Sequence, residues 1–163
     1  RVMVLDFDAH HGDGTEEILA DRPGVRFLSL FQWPLFPHRR MEPTPSNAVL
    51  SPLPAGAGGE DIRNVVENVW LPEIDKFQPD LMILSAGFDA HCEERIAQLK
   101  AGEMDYACVT RLLVEASFAY CEGRLVSVLE GGYELRSLAR SVFTHLQGLI
   151  RNPLPAETCK DPN

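Results

Sequence analysis

The sequence predicts an α/β protein in which helices flank a mainly parallel β-sheet. Five β-rich runs alternate with segments of helical periodicity along the chain. Several of these runs are continuously apolar, which is typical of strands buried on both faces of a sheet. Strands that alternate with helices indicate parallel pairing, because each parallel connection must cross back over the sheet.

The predicted strands end at polar or glycine-containing turns. They span residues 2–8, 25–31, 47–53, 81–87 and 124–132. Proline-rich and glycine-rich segments at 32–46 and 52–60 predict loops. The functional groups of such a sheet collect at the carboxyl ends of its strands.

Three longer segments have helical periodicity. The segment 60–77 has one apolar face, and Pro72 predicts a kink in it. The segment 105–123 repeats apolar residues at helical spacing, and Gly123 is placed to end the helix. A last helix over 135–150 would bury Leu135, Leu138, Val142, Leu146 and Leu149.

Composition limits the possible partners. The 163 residues suffice for one domain, and the net charge of −9 argues against binding to nucleic acid or to an anionic membrane. A cationic partner or substrate fits better. No segment has the length of a membrane span or the pattern of a signal peptide.

The cysteines lack the spacing of a metal site. Free thiols in a reducing compartment are therefore expected for Cys92, Cys108, Cys121 and Cys159.

Ionisable residues crowd the turn after the first strand, in the stretch DFDAHHGDGT. Asp6, Asp8 and His10 follow at two-residue spacing, so in an extended chain their side chains point to one side. Zinc accepts carboxylate and imidazole ligands, and a catalytic zinc keeps one position for water or substrate. The alternative is an Asp/Gly turn with solvated carboxylates.

Two later strand ends are also chemically distinctive. SAGFDAH places Asp89 and His91 after the fourth strand, where either could be a metal ligand and Asp89 could instead cap the next segment. LEGGY places Tyr133 after two glycines beyond the fifth strand. A phenol stays protonated at neutral pH and can donate a hydrogen bond to a developing oxyanion. A tyrosine packed at the start of a helix is the competing interpretation.

The motifs DFDAHHGDGT, SAGFDAH and LEGGY, in this order, resemble the histone deacetylase family. The likeness is greatest to its bacterial deacetylase-like amidohydrolases, to acetoin-utilisation proteins and acetylpolyamine amidohydrolases, and to eukaryotic class II enzymes. The resemblance implies a three-layer arginase/deacetylase-type fold. It identifies residues 1–150 as the C-terminal portion of a catalytic domain, followed by a polar tail at 151–163.

The resemblance also implies site residues. Tyr133 matches the tyrosine that stabilises the oxyanion, and Asp6 and Asp13 match aspartates that support a general acid/base histidine pair. Phe36 matches an aromatic wall of the acyl-lysine tunnel, and His11 has a supporting role. The zinc ligands would be Asp8, His10 and Asp89.

Potassium binding is implied in the same way. One site would use Asp6, Ser29 and the backbone carbonyls of Asp8, His10 and Leu30. A second site would use the backbone carbonyls of Leu19, Arg22 and Val25.

The chain departs from the family pattern at several points. The histidine pair lies upstream of DFDAHH in the family, so we expect residues 1–163 alone to be inactive. Phe31 stands where a histidine is usual, the loop after Phe36 lacks the usual PGTG, and no DP follows Asp89. Ile96 falls near the position at which polyamine-specific relatives carry a glutamate, so a polyamine preference gains no support.

The leading hypothesis is a zinc-dependent deacetylase, with K⁺ as a possible second cofactor. Its substrate would be an acetylated amine, with acetyl-lysine in proteins preferred, and no nucleic acid or membrane partner is expected. Its location would be cytoplasmic, or nuclear in a eukaryote. The alternatives are a hydrolase of acetylpolyamines or other small amides, and a non-catalytic metal-binding scaffold.

Overall fold

A computed structural model describes residues 1–38 and 43–150 of the chain. Five strands form one parallel sheet in the order β3-β2-β1-β4-β5. This confirms the predicted parallel sheet. The strands are β1 (Val2–Asp6), β2 (Val25–Gln32), β3 (Ala48–Leu53), β4 (Leu81–Ala86) and β5 (Leu125–Leu129).

The central strand β1 marks the point where the direction of the chain path reverses. From β1 the chain moves outward through β2 to β3, and it then returns to place β4 on the other side of β1. In open parallel sheets a crevice forms at such a switch point, outside the carboxyl ends of the two strands. The turns that follow β1 and β4 therefore meet.

In the described residues, five α-helices connect and flank the strands. A π-helical turn, Val66–Trp70, joins the second helix to the third, and the N–H of Leu71 donates to the carbonyl of Val66 five residues back. Pro72 follows directly and has no N–H to donate, so the local π turn accommodates it. The helices are α1 (Asp13–Leu19), α2 (Gly59–Val65), α3 (Leu71–Phe77), α4 (Glu103–Cys121) and α5 (Leu135–Leu149).

The hydrophobic core lies between the sheet and these helices. Trp70 and Ile74 are fully buried against residues of β1, β4 and α4. On α4 most of the apolar positions from Tyr106 to Ala116 are buried, as the periodicity predicts, and Leu112 is half-buried. Among the described residues, no helix is long and apolar enough to cross a membrane.

The predicted core face of α5 is wrong only in part. Leu138 and Val142 are half-buried and pack against the core, as predicted. Leu135 is 75% exposed and Leu146 is 51% exposed, while the buried positions are Ser137, Ser141 and His145. Small side chains allow α5 to pack closely on α4, with which it makes extensive contact. A polar stripe therefore lies inward, where an apolar stripe was expected.

The cysteines divide into two groups. Cys92 and Cys121 are free thiols, as expected. Cys108 is disulfide-bonded, so the prediction of a free thiol is wrong for this residue. Cys159 and the predicted tail 151–163 lie outside the described residues.

Candidate metal centre

The chain leaves β1 at Asp6 and turns at the carboxyl edge of the sheet. The Asp6 carboxylate accepts the N–H of Asp8 at 3.1 Å, and the Asp8 carboxylate accepts the N–H of His10 at 2.8 Å. Each aspartate thus bonds to the backbone two residues later, which is a favoured turn conformation for this residue type. The strand predicted over 2–8 ends at Asp6, so these turns, and not strand alternation, bring the three side chains to one side.

Asp89 reaches the same point from the end of β4. Its Oδ2 lies 2.8 Å from Nδ1 of His10, and its Oδ1 accepts the N–H of Ala9 at 2.9 Å. Nδ1 of His10 also lies 3.1 Å from Oδ1 of Asp8. One ligand atom from each of Asp8, His10 and Asp89 lies within 4.8 Å of the other two. The structure therefore brings the three predicted zinc ligands together.

The charges in this cluster favour a cation. Hydrogen bonds with Asp8 and Asp89 raise the pKa of His10 to about 10. Burial acts to raise the pKa of Asp8, but hydrogen bonds from His10 and Gly131 outweigh it and hold the pKa below its usual value. Burial raises the pKa of Asp89, and the neighbouring charge of Asp8 adds to this shift.

The ligand set fits zinc. Two carboxylates share the single positive charge of the His10 imidazolium, and a divalent cation would compensate them better while displacing that proton. Carboxylate oxygen and imidazole nitrogen are both common zinc ligands, and three protein ligands are the number found in catalytic sites. The residues Asp8, His10 and Asp89 would hold the metal.

Two glycines allow the backbone to approach these carboxylates. The N–H of Gly131 donates to Oδ2 of Asp8 at 2.8 Å. A Cβ atom on Gly131 would lie 2.5 Å from Oδ2 of Asp89 and 2.6 Å from Oδ2 of Asp8, and a Cβ atom on Gly87 would collide with Asp8. The sequence pattern identified the two glycines of LEGGY only as the residues that precede Tyr133. It did not identify this need for close approach.

Asp6 and Ser29 form a second polar pair below the cluster. They are register partners on β1 and β2, and both are buried. Burial raises the pKa of Asp6 well above its usual value. Among the described residues, the hydroxyl of Ser29 has no hydrogen-bond partner. A buried oxygen without a partner beside a buried carboxyl group fits a bound cation with oxygen ligands, as predicted for potassium with Leu30.

The second predicted potassium site has a different arrangement. The side-chain amide of Asn47 donates to the carbonyl of Leu19 at 2.8 Å and to that of Val25 at 3.3 Å. The carbonyl of Arg22 accepts the N–H of Val25 at 3.3 Å. A neutral donor thus already binds two of the three carbonyls, so the donor set does not favour a cation here.

An open cavity of about 620 Å³ lies over the carboxyl edge of the sheet. Asp6, Asp8, His10 and Tyr133 line it, together with the apolar side chains of Phe36 and Ile96. Burial raises the pKa of Tyr133, and the negative charges of Asp89 and Asp8 raise it further. The phenol therefore stays protonated at neutral pH and keeps a hydrogen to donate.

His11 lies behind the cluster. It is buried, and its Nε2 pairs with the carboxylate of Glu16 on α1. Its ring centre lies 4.5 Å from that of Phe31. His11 thus packs the turn against β2, and the supporting role expected of it stays a prediction.

Two residues singled out in the sequence lie apart from the three ligands. Asp13 is exposed at the start of α1 and does not line the cavity. His91 is buried, and its Nε2 lies 3.5 Å from Oε2 of Glu103. Asp89, and not His91, therefore joins the cluster from β4.

Comparison with known proteins gives the family. A model of the histone deacetylase domain matches residues 1–149. A probable deacetylase from Archaeoglobus fulgidus is 38% identical over 141 residues, which cover 83% of this chain and 39% of that protein. The polyamine deacetylase HDAC10 of Homo sapiens is 34% identical over 170 residues, which cover 95% of this chain and 24% of that protein.

The fold is shared with a solved histone deacetylase. The structure of Clr3 superimposes with a TM-score of 0.84 at 30% sequence identity, covering 95% of this chain and 27% of Clr3. This confirms the predicted arginase/deacetylase-type fold. The chain spans less than half of the length of these relatives. On the match over residues 1–149, the chain belongs to the histone deacetylase family.

Proposed function

We propose that this chain forms part of a zinc-dependent deacetylase that hydrolyses N-acetyl amides, with acetyl-lysine in proteins as the preferred substrate. The observation that carries the proposal is the convergence of Asp8, His10 and Asp89 next to an open cavity that Asp8, His10 and Tyr133 line. Membership of the histone deacetylase family supports hydrolysis of an acetylated substrate. Residues 1–150 would contribute these groups to the catalytic domain.

The residues divide the chemical work between them. Bound zinc would supply Lewis acidity to the water and to the amide carbonyl. Two carboxylate ligands reduce the effective charge of such a metal, so other groups must share the stabilisation of the developing oxyanion. In this proposal the hydroxyl of Tyr133, whose side chain lines the cavity, donates that hydrogen bond.

The cavity suits a substrate with an apolar alkyl chain that is flanked by basic residues. Phe36 and Ile96 offer apolar surface for the alkyl part of an acetyl-lysine side chain. Glu130 also lines the cavity, and the net charge of −9 favours basic protein segments around the acetylated residue. A cytoplasmic or nuclear location, where such proteins occur, remains a prediction.

A potassium ion would have a structural role in this proposal. Its ligands would be the carboxylate of Asp6, the hydroxyl of Ser29 and the backbone carbonyls of Asp8, His10 and Leu30. A cation at this position would compensate the buried charge of Asp6 and hold the turn that carries Asp8 and His10.

The test is hydrolysis of an acetyl-lysine peptide by the full-length, zinc-loaded protein. Tyr133→Phe should lower kcat by about 100-fold with little change in KM, because one oxyanion donor is typically worth that much. Tyr120→Phe is the matched control, since the Tyr120 hydroxyl bonds Asp75 on the surface.

Two other results would instead support one of the alternative functions. Zinc binding without hydrolysis of any acetylated amine would identify a metal-binding scaffold. A kcat/KM for an N-acetylpolyamine at least tenfold above that for the peptide would identify a small-amide hydrolase.

A further inference from the structure

The loop that carries Tyr133 is held by hydrogen bonds on the side next to Asp8, one of the proposed metal ligands. The N–H of Gly131 donates to Asp8 at 2.8 Å, and the carbonyl of Gly131 accepts the N–H of Phe88 at 2.8 Å. Gly132 follows with a φ of +134°, a conformation that side-chain-bearing residues rarely adopt. Gly132 has more conformational freedom than other residues, and it lies between the hydrogen-bonded Gly131 and Tyr133. A second set of hydrogen bonds is therefore needed to fix the direction of the phenol.

Glu94 supplies an anchor on the other side. Its Oε1 accepts the N–H groups of Tyr133 and Glu134, each at 2.6 Å. Glu94 lies in the segment after β4, 39 residues before Tyr133. Hydrogen bonds to a carboxylate are shorter and stronger than those between neutral groups. The two bonds therefore hold the backbone on both sides of the Tyr133 Cα atom.

The segment that carries Glu94 is itself tied to two helices. Arg140 on α5 donates to Glu93 at 2.6 Å through Nη2, and its Nε donates to Glu103 on α4. His91, in the same segment, lies 3.5 Å from Glu103. Contacts with α4 and α5 therefore hold in place the segment that carries Glu94, although Glu94 is distant from Tyr133 in the chain.

We propose that Glu94 is a positioning residue for Tyr133, which sets the direction of the phenol toward the reacting carbonyl. This inference rests on the proposed function. The phenol oxygen lies at the end of a long side chain, so a small rotation of the backbone at Tyr133 moves it substantially. A misplacement of about 1 Å can lower a rate about 100-fold, which makes the backbone anchor relevant to catalysis.

Kinetics of the full-length, zinc-loaded protein test the role. Glu94→Ala should lower kcat at least tenfold, with KM within about twofold and zinc content unchanged. Glu94→Gln keeps an acceptor oxygen at the same position and should retain most of the activity. Glu115→Ala is the matched control, because Glu115 is exposed on α4 and pairs with Arg111 one turn earlier on the same helix.

A double-mutant cycle separates positioning from general support of the fold. In the Tyr133→Phe background, Glu94→Ala should cause no further loss, because there is no hydroxyl left to position. An equal loss in both backgrounds, or an unchanged kcat in Glu94→Ala, would overturn the proposal.

Hydrogen–deuterium exchange tests the anchor independently of activity. The backbone amides of Tyr133 and Glu134 should exchange at least tenfold faster in Glu94→Ala, and at nearly the wild-type rate in Glu94→Gln. Unchanged exchange in Glu94→Ala would contradict the anchor. An inactive wild-type protein would contradict the proposed function only, since the exchange result would still decide on Glu94.

Discussion

Nδ1 of His10 lies 2.8 Å from Oδ2 of Asp89, although 79 residues separate them in the chain. The contact forms because β1 and β4 are neighbours in register, so the turns that follow them meet at one edge of the sheet. A basic group between two carboxylates is the charge arrangement that a divalent cation would replace. This relationship gives the first prediction.

Asp89→Asn should lower zinc affinity at least 100-fold. Mutation of residues that only support metal ligands already lowers metal affinity about 10- to 100-fold, and Asp89 is itself a proposed ligand. Zinc content after dialysis against a chelator measures the effect. Asp75→Asn, at an exposed position on α3, controls for the loss of one carboxylate. Full zinc content in the Asp89 variant would contradict the ligand assignment.

The glycine in front of the metal site gives a second prediction. Gly131→Ala should lower zinc affinity at least tenfold, because the added Cβ would lie 2.5 Å from Asp89 and 2.6 Å from Asp8. Gly14→Ala is the control: its Cβ would meet no atom within 4 Å, and alanine in a helix should stabilise by about 0.5–1 kcal/mol. Zinc titration and thermal unfolding of both variants measure these effects. Equal zinc affinity in the two variants would refute the close-approach argument.

Local patterns were sufficient to predict the sheet, whereas the set of three proposed zinc ligands was implied by the family resemblance. Apolar runs marked the strands, and parallel strands place the residues after their carboxyl ends at a common edge. These patterns left either Asp89 or His91 as the ligand after β4. The resemblance to the histone deacetylase family selected Asp89. Even so, the reason given for Asp8 was partly wrong, since β1 ends at Asp6 and turns complete the arrangement.

Contacts between distant segments could not be predicted. Glu94 differs from other surface glutamates only by the two N–H groups that it meets, and these lie 39 and 40 residues further along the chain. The prediction of the buried face of α5 was partly wrong for a related reason. Hydrophobic periodicity assumes an apolar interface, whereas Ser141 and His145 fit a close and partly polar contact.

The buried hydroxyl of Ser29 gives a third prediction. K⁺ should raise the melting temperature of the wild-type protein relative to choline at equal ionic strength, because a ligand that binds only the native state stabilises it. Ser29→Ala should remove at least half of this rise while changing the melting temperature in choline little, since the hydroxyl has no partner among the described residues. Ser51→Ala on β3 is the matched control. An undiminished K⁺ effect in Ser29→Ala would exclude this ligand.

His145 is buried among neutral groups. Thr110 Oγ1 donates to the carbonyl of Tyr106, so it must accept from Nδ1 of His145 at 2.7 Å, and Ser127 Oγ lies 2.8 Å from Nε2. The rings of Phe7 and Phe88 lie 6.1 and 5.5 Å from the imidazole. These neighbours favour the neutral ring that carries its hydrogen on Nδ1, and burial lowers the pKa of His145 to about 4.

This gives the fourth prediction, a pH dependence of stability. The unfolded chain binds a proton at this histidine below about pH 6.5, while the folded protein does so only below about pH 4, so protonation favours unfolding between these values. The contribution of His145 to the free energy of unfolding is complete above pH 6.5 and should fall by about 3 kcal/mol on acidification to pH 4.

Unfolding free energies of wild type and His145→Gln across this range measure the contribution of His145, because the difference between the two proteins removes the contributions of Asp6 and Asp89. His38→Gln, at an exposed position, controls for the loss of one histidine. A difference between wild type and His145→Gln that does not vary with pH would show that the imidazole titrates normally in the folded protein.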